Sequence, residues 1–314
     1  MIFGDFEYSV NENNEIIIDK YLGENSFVSV PERIDGKVVT EIGDGAFRDK
    51  RCITDLILPK GLKIIGNYAF CECRGLKEVS LPEGLLEAGG HAFYNCRNLE
   101  KMEIPTTVEF IADGFIKNCE VLKEVYVITD GRLGSAVAGF LINITNEIEV
   151  TFVKQNMKFI LPEYDYEYVA NAPAKIFVTL THGSGEFFRR AIESKGFDYK
   201  FYDENFKRAV LSEKKITSVK MALCRIMYPY RLDEKYKESY INFIKENIAD
   251  VVSYACEKDD ILIIEKIDEN GCFNNENISE AIEEAAKSTN SEISAYIMDI
   301  KLSRFGRKKK TFDL

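Results

Sequence analysis

In the segment Leu76-Lys77-Glu78-Val79-Ser80-Leu81-Pro82, apolar Val79 and Leu81 alternate with polar Glu78 and Ser80. A period of two predicts a short strand with one buried face. Pro82 ends it, because proline has no N–H to give to a sheet ladder. Leu85 and Ala88 follow, and Gly89-Gly90 predicts a tight turn. Ala92 and Phe93 then predict a short helical turn pointing inward from the far side. The whole pattern recurs every 23 residues. Ile42-Gly43-Asp44-Gly45-Ala46-Phe47 returns as Ile65-Gly66-Asn67-Tyr68-Ala69-Phe70, then as Ala88-Gly89-Gly90-His91-Ala92-Phe93. A reduced fourth copy reads Ile111-Ala112-Asp113-Gly114-Phe115-Ile116. Pro59, Pro82 and Pro105 keep the same period, as do Leu76, Leu99 and Leu122, and Cys73, Cys96 and Cys119. A fixed period of this size predicts a solenoid of stacked units. Stacking places the strands in one parallel sheet and piles Phe47, Phe70 and Phe93 into an aromatic spine, each ring contributing roughly 1.5–3 kcal/mol.

The spelling Ile-Gly-x-x-Ala-Phe-x-x-Cys-x-x-Leu-x-x-Val-x-Leu-Pro resembles the BspA-type leucine-rich repeats over residues 28–127. Residues 1–41 resemble that family's entry cap, with Val28-Ser29-Val30 as a first strand. Where a fifth copy should place Pro, the chain has Ile128, so the repeat is expected to stop there and to need a cover for its open end. The resemblance implies that Cys73, Cys96 and Cys119 bond the backbone of the neighbouring coil. It also implies that the function is binding.

Residues 128–212 change character and read as an α+β connecting module. Glu147 to Val153 alternates as a strand, Gln155-Asn156 supplies a turn, and Met157 to Leu161 returns before Pro162. Ala174 to Thr181 fits a strand or a helix. Tyr164, Tyr166 and Tyr168 alternate with acids, either as a half-buried element or as a stacking stripe for a sugar or a protein. His182-Gly183-Ser184-Gly185 resembles the His-Gly-Gly-Gly loop of some esterases, whose amides hold an oxyanion. A serine hydrolase also needs a Gly-x-Ser-x-Gly elbow, which this sequence lacks. The plainer expectation is a loop in which Ser184 caps the next helix.

From residue 203 the pattern is helical, with expected helices at 203–212, 214–227, 233–247, 248–258, 260–269, 276–288 and 291–304. Asp260-Ile261-x-x-Ile264 and Glu292-Ile293-x-x-Tyr296 recur about 32 residues apart. Over roughly 215–305 this is similar to ankyrin repeats, whose period is ~33. The Thr-Pro-Leu-His signature is replaced by Ile278-Ser279-Glu280-Ala281. Asp268-Glu269-Asn270-Gly271 is no calcium loop, because Phe273 and Ser279 stand where Gly and Glu are required. It is expected to be an inter-helix turn, with Asn275 or Asn277 capping the next helix.

A net charge of −11 disfavours nonspecific nucleic-acid binding. The basic cluster Arg307-Lys308-Lys309-Lys310 reads as a solvated tail. Eight cysteines at these spacings predict structural thiols, with no metal and no cofactor. Met1 to Glu7 lacks a signal-peptide pattern, and the apolar run Leu133 to Ile144, about 12 residues, is too short to span a bilayer. The expected location is cytoplasmic, or the cell surface if a signal has been removed.

The expected fold is α+β: residues 1–127 a cap and leucine-rich solenoid with parallel sheet, 128–212 the α+β module, 213–314 an ankyrin-like all-α domain. The outward strand positions form the expected partner face: Asp55, Ile57, Glu78, Ser80, Lys101, Glu103, Glu124 and Tyr126. Four are acids and one is basic, so the face is expected to be acidic. Ile57 and Tyr126 are possible anchors, with Tyr126 alternatively packed on the middle module. The leading reading is a non-catalytic protein-interaction scaffold whose protein partner the sequence does not name. A second is a surface-attached adhesin. A third is a small-molecule binder or hydrolase at His182 and Ser184, which requires a concave pocket there.

Overall fold

The computed structural model describes residues 1–171 and 176–306, with burial assigned outside 167–180. Two compact units result, Met1–Asp198 and Tyr199–Leu314.

Repetition in the first unit appears as rows of buried side chains, one per coil. Ile53, Leu76, Leu99 and Leu122 form one row, and Leu58, Leu81, Ile104 and Val127 another, all at most 8% exposed. On one side of the core, short strands Lys37–Ile42, Ile64–Ile65, Glu87–Ala88 and Phe110–Ile111 pair in parallel. Ile16–Tyr21 pairs in parallel with Lys37–Ile42 and joins the antiparallel cap strands Phe6–Val10 and Ile2–Phe3 to this sheet. On the other side, Phe27–Ser29 pairs with Asp55–Ile57. Glu78–Ser80, Lys101–Pro105 and Glu124–Ile128 form a separate parallel ladder.

The aromatic spine is present and longer than expected. Phe47 and Phe70 stack at 4.9 Å between centroids, and Phe70 and Phe93 at 5.0 Å. Tyr21 of the cap stacks on Phe47 at 5.3 Å. At the other end Phe115, standing where earlier coils place Ala, turns its ring edge-on to Phe93 at 5.3 Å. Phe140 closes the row at 6.0 Å.

Gly89-Gly90 is not itself the tight turn. The left-handed position is occupied by Gly45, Tyr68, His91 and Gly114 in successive coils, with φ of 63°, 57°, 57° and 69°. Asp49, Glu72, Asn95 and Asn118 form a second left-handed row. Gly89 has a different role: a Cβ there would lie 2.5 Å from the backbone carbon of Gly66. The bare backbone lets one coil rest on the next.

The parallel sheet does not end at residue 128. Ile148–Phe152 pairs in parallel with Glu124–Ile128, and Met157–Leu161 returns antiparallel beside it. Helix α1 (Gly134–Asn143) replaces the far-side turn of this added coil. The stretch read as a separate connecting module therefore lies, up to Asp198, in the same compact unit as the repeats. Loss of the Pro and Ala-Phe anchors ended the motif without ending the hydrogen-bonding edge. Beyond it, Asp165–Asn171 and Ile176–His182 form an antiparallel pair, settling the element that sequence left between strand and helix. Ala172 to Lys175 and the Arg307–Lys310 tail lie outside the described residues.

The second unit contains helices α3 (Tyr199–Glu204), α4 (Phe206–Ser212), α5 (Lys215–Met227), α6 (Glu234–Glu246) and α7 (Ile248–Lys258). α8 (Ile261–Glu269), α9 (Ile278–Ala285) and α10 (Ser291–Arg304) complete it; the short α2 (Gly185–Phe188) belongs to the first unit. Asp233, Asp260 and Asn290 cap α6, α8 and α10 through their side-chain oxygens. Asn277 precedes α9 but stitches instead of capping: its amide donates to the carbonyls of Lys245 and Cys272 at 3.2 and 2.9 Å.

The polar centre of this unit has no counterpart in the sequence pattern. Arg225 and Asp203, 1% and 3% exposed, meet in a bidentate pair at 2.7 and 2.9 Å. The Tyr240 hydroxyl donates to the same carboxylate at 2.8 Å, and Arg225 also donates to the carbonyls of Tyr228 and Tyr230. Among the described residues no helix is long and apolar enough to cross a membrane.

Candidate functional site

The strands hold the eight expected residues outward because their alternate neighbours, Val79, Met102, Ile104, Val125 and Val127, are buried. Asp55, Ile57, Glu78 and Ser80 are exposed, whereas Lys101, Glu103, Glu124 and Tyr126 are half-buried. Parallel register sets Glu78 beside Lys101 and Lys101 beside Glu124, with Ser80, Glu103 and Tyr126 in the adjoining row.

Their charges are substantially paired. The Lys101 ammonium lies 3.7 Å from the Glu78 carboxylate and 4.7 Å above the Tyr126 ring. The Tyr126 hydroxyl donates to Glu124 at 3.0 Å. Burial, then the adjacent Glu124 carboxylate, raises the Tyr126 phenol above its ordinary range. Tyr126 is half-buried, and its Cα neighbours across the sheet are Glu103 and Thr151, the latter in the middle segment on which it is alternatively expected to pack.

Asp55, Glu78, Lys101 and Glu124 line an open groove of about 410 Å³ together with Lys77, Glu100 and Lys123. Four carboxylates face three ammonium groups there, so this groove is nearly balanced and not the acidic surface expected. Counting strand positions alone missed Lys77 and Lys123, each of which stands one residue before its strand. Lys123 pairs with Glu100. Exposed pairs of this kind are worth about 0–1 kcal/mol, so a partner can exchange them at little cost.

The His182 to Gly185 loop has a different explanation. A Cβ on Gly183 would lie 2.5 Å from the Glu163 carbonyl oxygen, and one on Gly185 would lie 2.1 Å from that of Pro162. The glycines let the loop lie against this backbone. His182 is exposed and Ser184 buried, so the two do not share a surface. Ser184 occupies the N-cap of α2 without making a side-chain capping bond. The neighbouring Arg189, 2% exposed, donates to the carbonyls of Pro162 and Asn146 at 2.7 and 2.9 Å. Burial lowers its guanidinium to about 10. Tyr164 is buried beneath Arg189 and donates to the Ile142 carbonyl, whereas Tyr166 is exposed.

The repeated thiols are structural. Cys73, Cys96 and Cys119 each donate at 3.2 Å to the carbonyl of the spine phenylalanine one coil back: Phe47, Phe70 and Phe93. Burial pushes the Cys73 thiol up to about 12, and the Cys119 contact, then burial, raises Cys96 further. Asn146 continues the role in the added coil, donating to the carbonyls of Cys119, Glu120 and Leu122. Among the described residues no group of three His, Cys, Asp or Glu side chains is placed to hold a metal. In the helical unit, Phe206, Val210, Leu211, Phe243 and Lys235 line a groove of about 480 Å³, with Leu211 88% exposed.

Residues 40–158 match the BspA type leucine rich repeat region in six copies. This span includes the added coil beyond residue 128. A leucine rich repeat protein of T. pallidum is 26% identical, with 40% of this chain and 70% of that one covered and a TM-score of 0.35. One from Bacteroides capillosus is 23% identical, covering 41% of this chain and 98% of that one, with a TM-score of 0.36. No curated protein matches the sequence.

Proposed function

We propose that this protein is a non-catalytic scaffold that binds a protein partner across the outward strand face, with the helical unit offering a second surface. Leucine-rich repeats of this type are generally protein-binding or surface proteins, and their fold family is typically non-catalytic. The observation that carries the reading is the open groove joining Asp55, Glu78, Lys101 and Glu124 across successive coils. Its weak pairs leave charges available to a partner's opposite charges, which govern encounter rate and register more than affinity. Ile57, 51% exposed, supplies an apolar anchor on the same face. The ankyrin-like reading of the helical unit belongs to this proposal. Its support is the recurring capped-helix pattern at Asp260 and Asn290. The eight free thiols support a reducing, cytoplasmic setting.

The test is affinity capture from lysate of the native host, using the full chain and its Glu78→Lys, Glu103→Lys, Glu124→Lys triple variant. Partners held by this face are lost from the variant and return at a lower yield as salt rises. Undiminished recovery of the same proteins sinks the assignment.

A further inference from the structure

The row of far-side turns leaves a hydrogen-bonding edge unfinished at coil four. In each coil the far-side turn sends three N–H groups, at alternate residues, toward the next coil. Those of Gly45, Phe47 and Asp49 donate to the carbonyls of Asn67, Ala69 and Cys71 at 2.9, 2.7 and 2.8 Å. Those of Tyr68, Phe70 and Glu72 donate to Gly90, Ala92 and Tyr94 at 2.9, 2.8 and 2.8 Å. Those of His91, Phe93 and Asn95 donate to Asp113, Phe115 and Lys117 at 3.3, 2.8 and 2.9 Å. The corresponding donors of coil four are Gly114, Ile116 and Asn118. No backbone carbonyl among the described residues accepts from them. The next turn has been replaced by α1, and a helix directs its carbonyls along its own axis. A cavity of about 630 Å³ lies between that edge and the helix. Phe115 and Phe140 contribute apolar surface to it, and Ser135, Ala136 and Gly139 form its helical wall. A Cβ on Gly139 would meet nothing within 4 Å, so the space beside the helix is open there.

We propose that this edge receives a peptide segment of a partner protein, folded like the far-side turn of an earlier coil, which adds itself between coil four and α1. Donors at every second residue require carbonyls at the same spacing, and the earlier coils present them from turns with left-handed residues at Tyr68 and Glu72 or at His91 and Asn95. The earlier coils show which chain satisfies this geometry: a segment with a small residue followed by a large apolar one, as at Ala69-Phe70 and Ala92-Phe93. The small side chains of the α1 wall leave room for the added backbone. A second copy of this chain is the poorer occupant, because the opposite end of its stack is already covered. There the Tyr21 N–H donates to the Ala46 carbonyl, and the Tyr21 and Phe6 rings lie on Phe47. The site is separate from the outward strand face, so the two proposals fail independently.

The probe is the peptide acetyl-Gly-Gly-His-Ala-Phe-Tyr-Asn-amide, the sequence of Gly89 to Asn95. It is titrated to millimolar concentration into ¹⁵N-labelled full-length protein. Saturable shifts and slowed hydrogen exchange are expected at the Gly114, Ile116 and Asn118 amides. Gly139→Leu is expected to weaken binding at least about tenfold by filling the cavity, while Tm holds or rises because a helix-interior glycine is removed. The Glu78→Lys, Glu103→Lys, Glu124→Lys variant should bind the peptide unchanged. Absence of protection at the three amides, or equal affinity in Gly139→Leu, overturns the proposal. Protection without peptide that grows with protein concentration would assign the edge to a second copy and overturn it as well.

Discussion

Removing Asp203 should unfold the helical unit more readily than any surface change, and the reason can be worked from distances. Its carboxylate accepts from the Arg225 guanidinium at 2.7 and 2.9 Å and from the Tyr240 hydroxyl at 2.8 Å, with both charged groups almost wholly buried. In Asp203→Ala the guanidinium keeps only the Tyr228 and Tyr230 carbonyls, both at 3.2 Å, and no counter-charge from its former partner. Breaking one side of such a pair costs about 3–5 kcal/mol. Against a total stability of roughly 5–15 kcal/mol, that is a large share. Arg225→Met should cost a comparable amount, because it strands a carboxylate. The double variant Asp203→Leu with Arg225→Met should cost much less than the sum, since no buried charge remains; the coupling should reach about 1–3 kcal/mol. The assay is urea unfolding followed by circular dichroism at the helical band, with hydrogen exchange of α5 and α6 amides to assign the transition to this unit. A single-variant cost below about 1 kcal/mol, within the range of solvated pairs, would refute the buried network. Additive costs in the double variant would refute the coupling.

Burial and charge give two more expected outcomes. Iodoacetamide should modify Cys52 and Cys256, which are partly exposed, well before the buried Cys73, Cys96, Cys119 and Cys272, as read by peptide mass spectrometry. Burial holds the thiols of Cys73 and Cys272 up to about 12, which suppresses the reactive thiolate; early labelling of the buried set would contradict the packed row of thiols. Burial, then Asp44, Asp19 and Glu87, raises the Glu41 carboxyl above its ordinary range. An acid so raised holds its proton more tightly folded than unfolded, so its contribution to stability falls as pH climbs from the unfolded glutamate range through the folded value. Glu41→Gln should therefore raise Tm at pH 7 relative to wild type, with the advantage shrinking at about pH 4; an equal shift at both values would exclude titration as the cause.

Much of the architecture was legible because the repeat writes each contact several times. Phe47, Phe70 and Phe93 had to align once their spacing equalled the coil length, and stacking near 5 Å is the outcome. Helix limits in the second unit were also readable, since Asp233, Asp260 and Asn290 are local caps with local signals. The added coil was not readable. Its strand, Ile148–Phe152, was visible, but its parallel pairing depends on an edge left open far away in sequence. The eight face residues were placed on the outward side by alternation, yet their near-neutral groove depends on Lys77 and Lys123, which strand counting omits. Arg225 and Asp203 gave no warning, because a charged residue in an amphipathic helix looks solvated until its partner is known.

The sequence by itself determined the coil: its length, the strand that faces outward, the rings that fill it and the thiols that tie it to its neighbour. These rest on contacts between residues at one fixed spacing, so a one-dimensional pattern contains them. Tertiary structure decided where the stack stops, which charges meet, and that His182 and Ser184 lie in different surroundings. Those outcomes depend on non-periodic contacts: backbone edges, buried ion pairs, and glycines pressed against carbonyls. Such contacts are set by the three-dimensional path of the chain, and no local spacing encodes them.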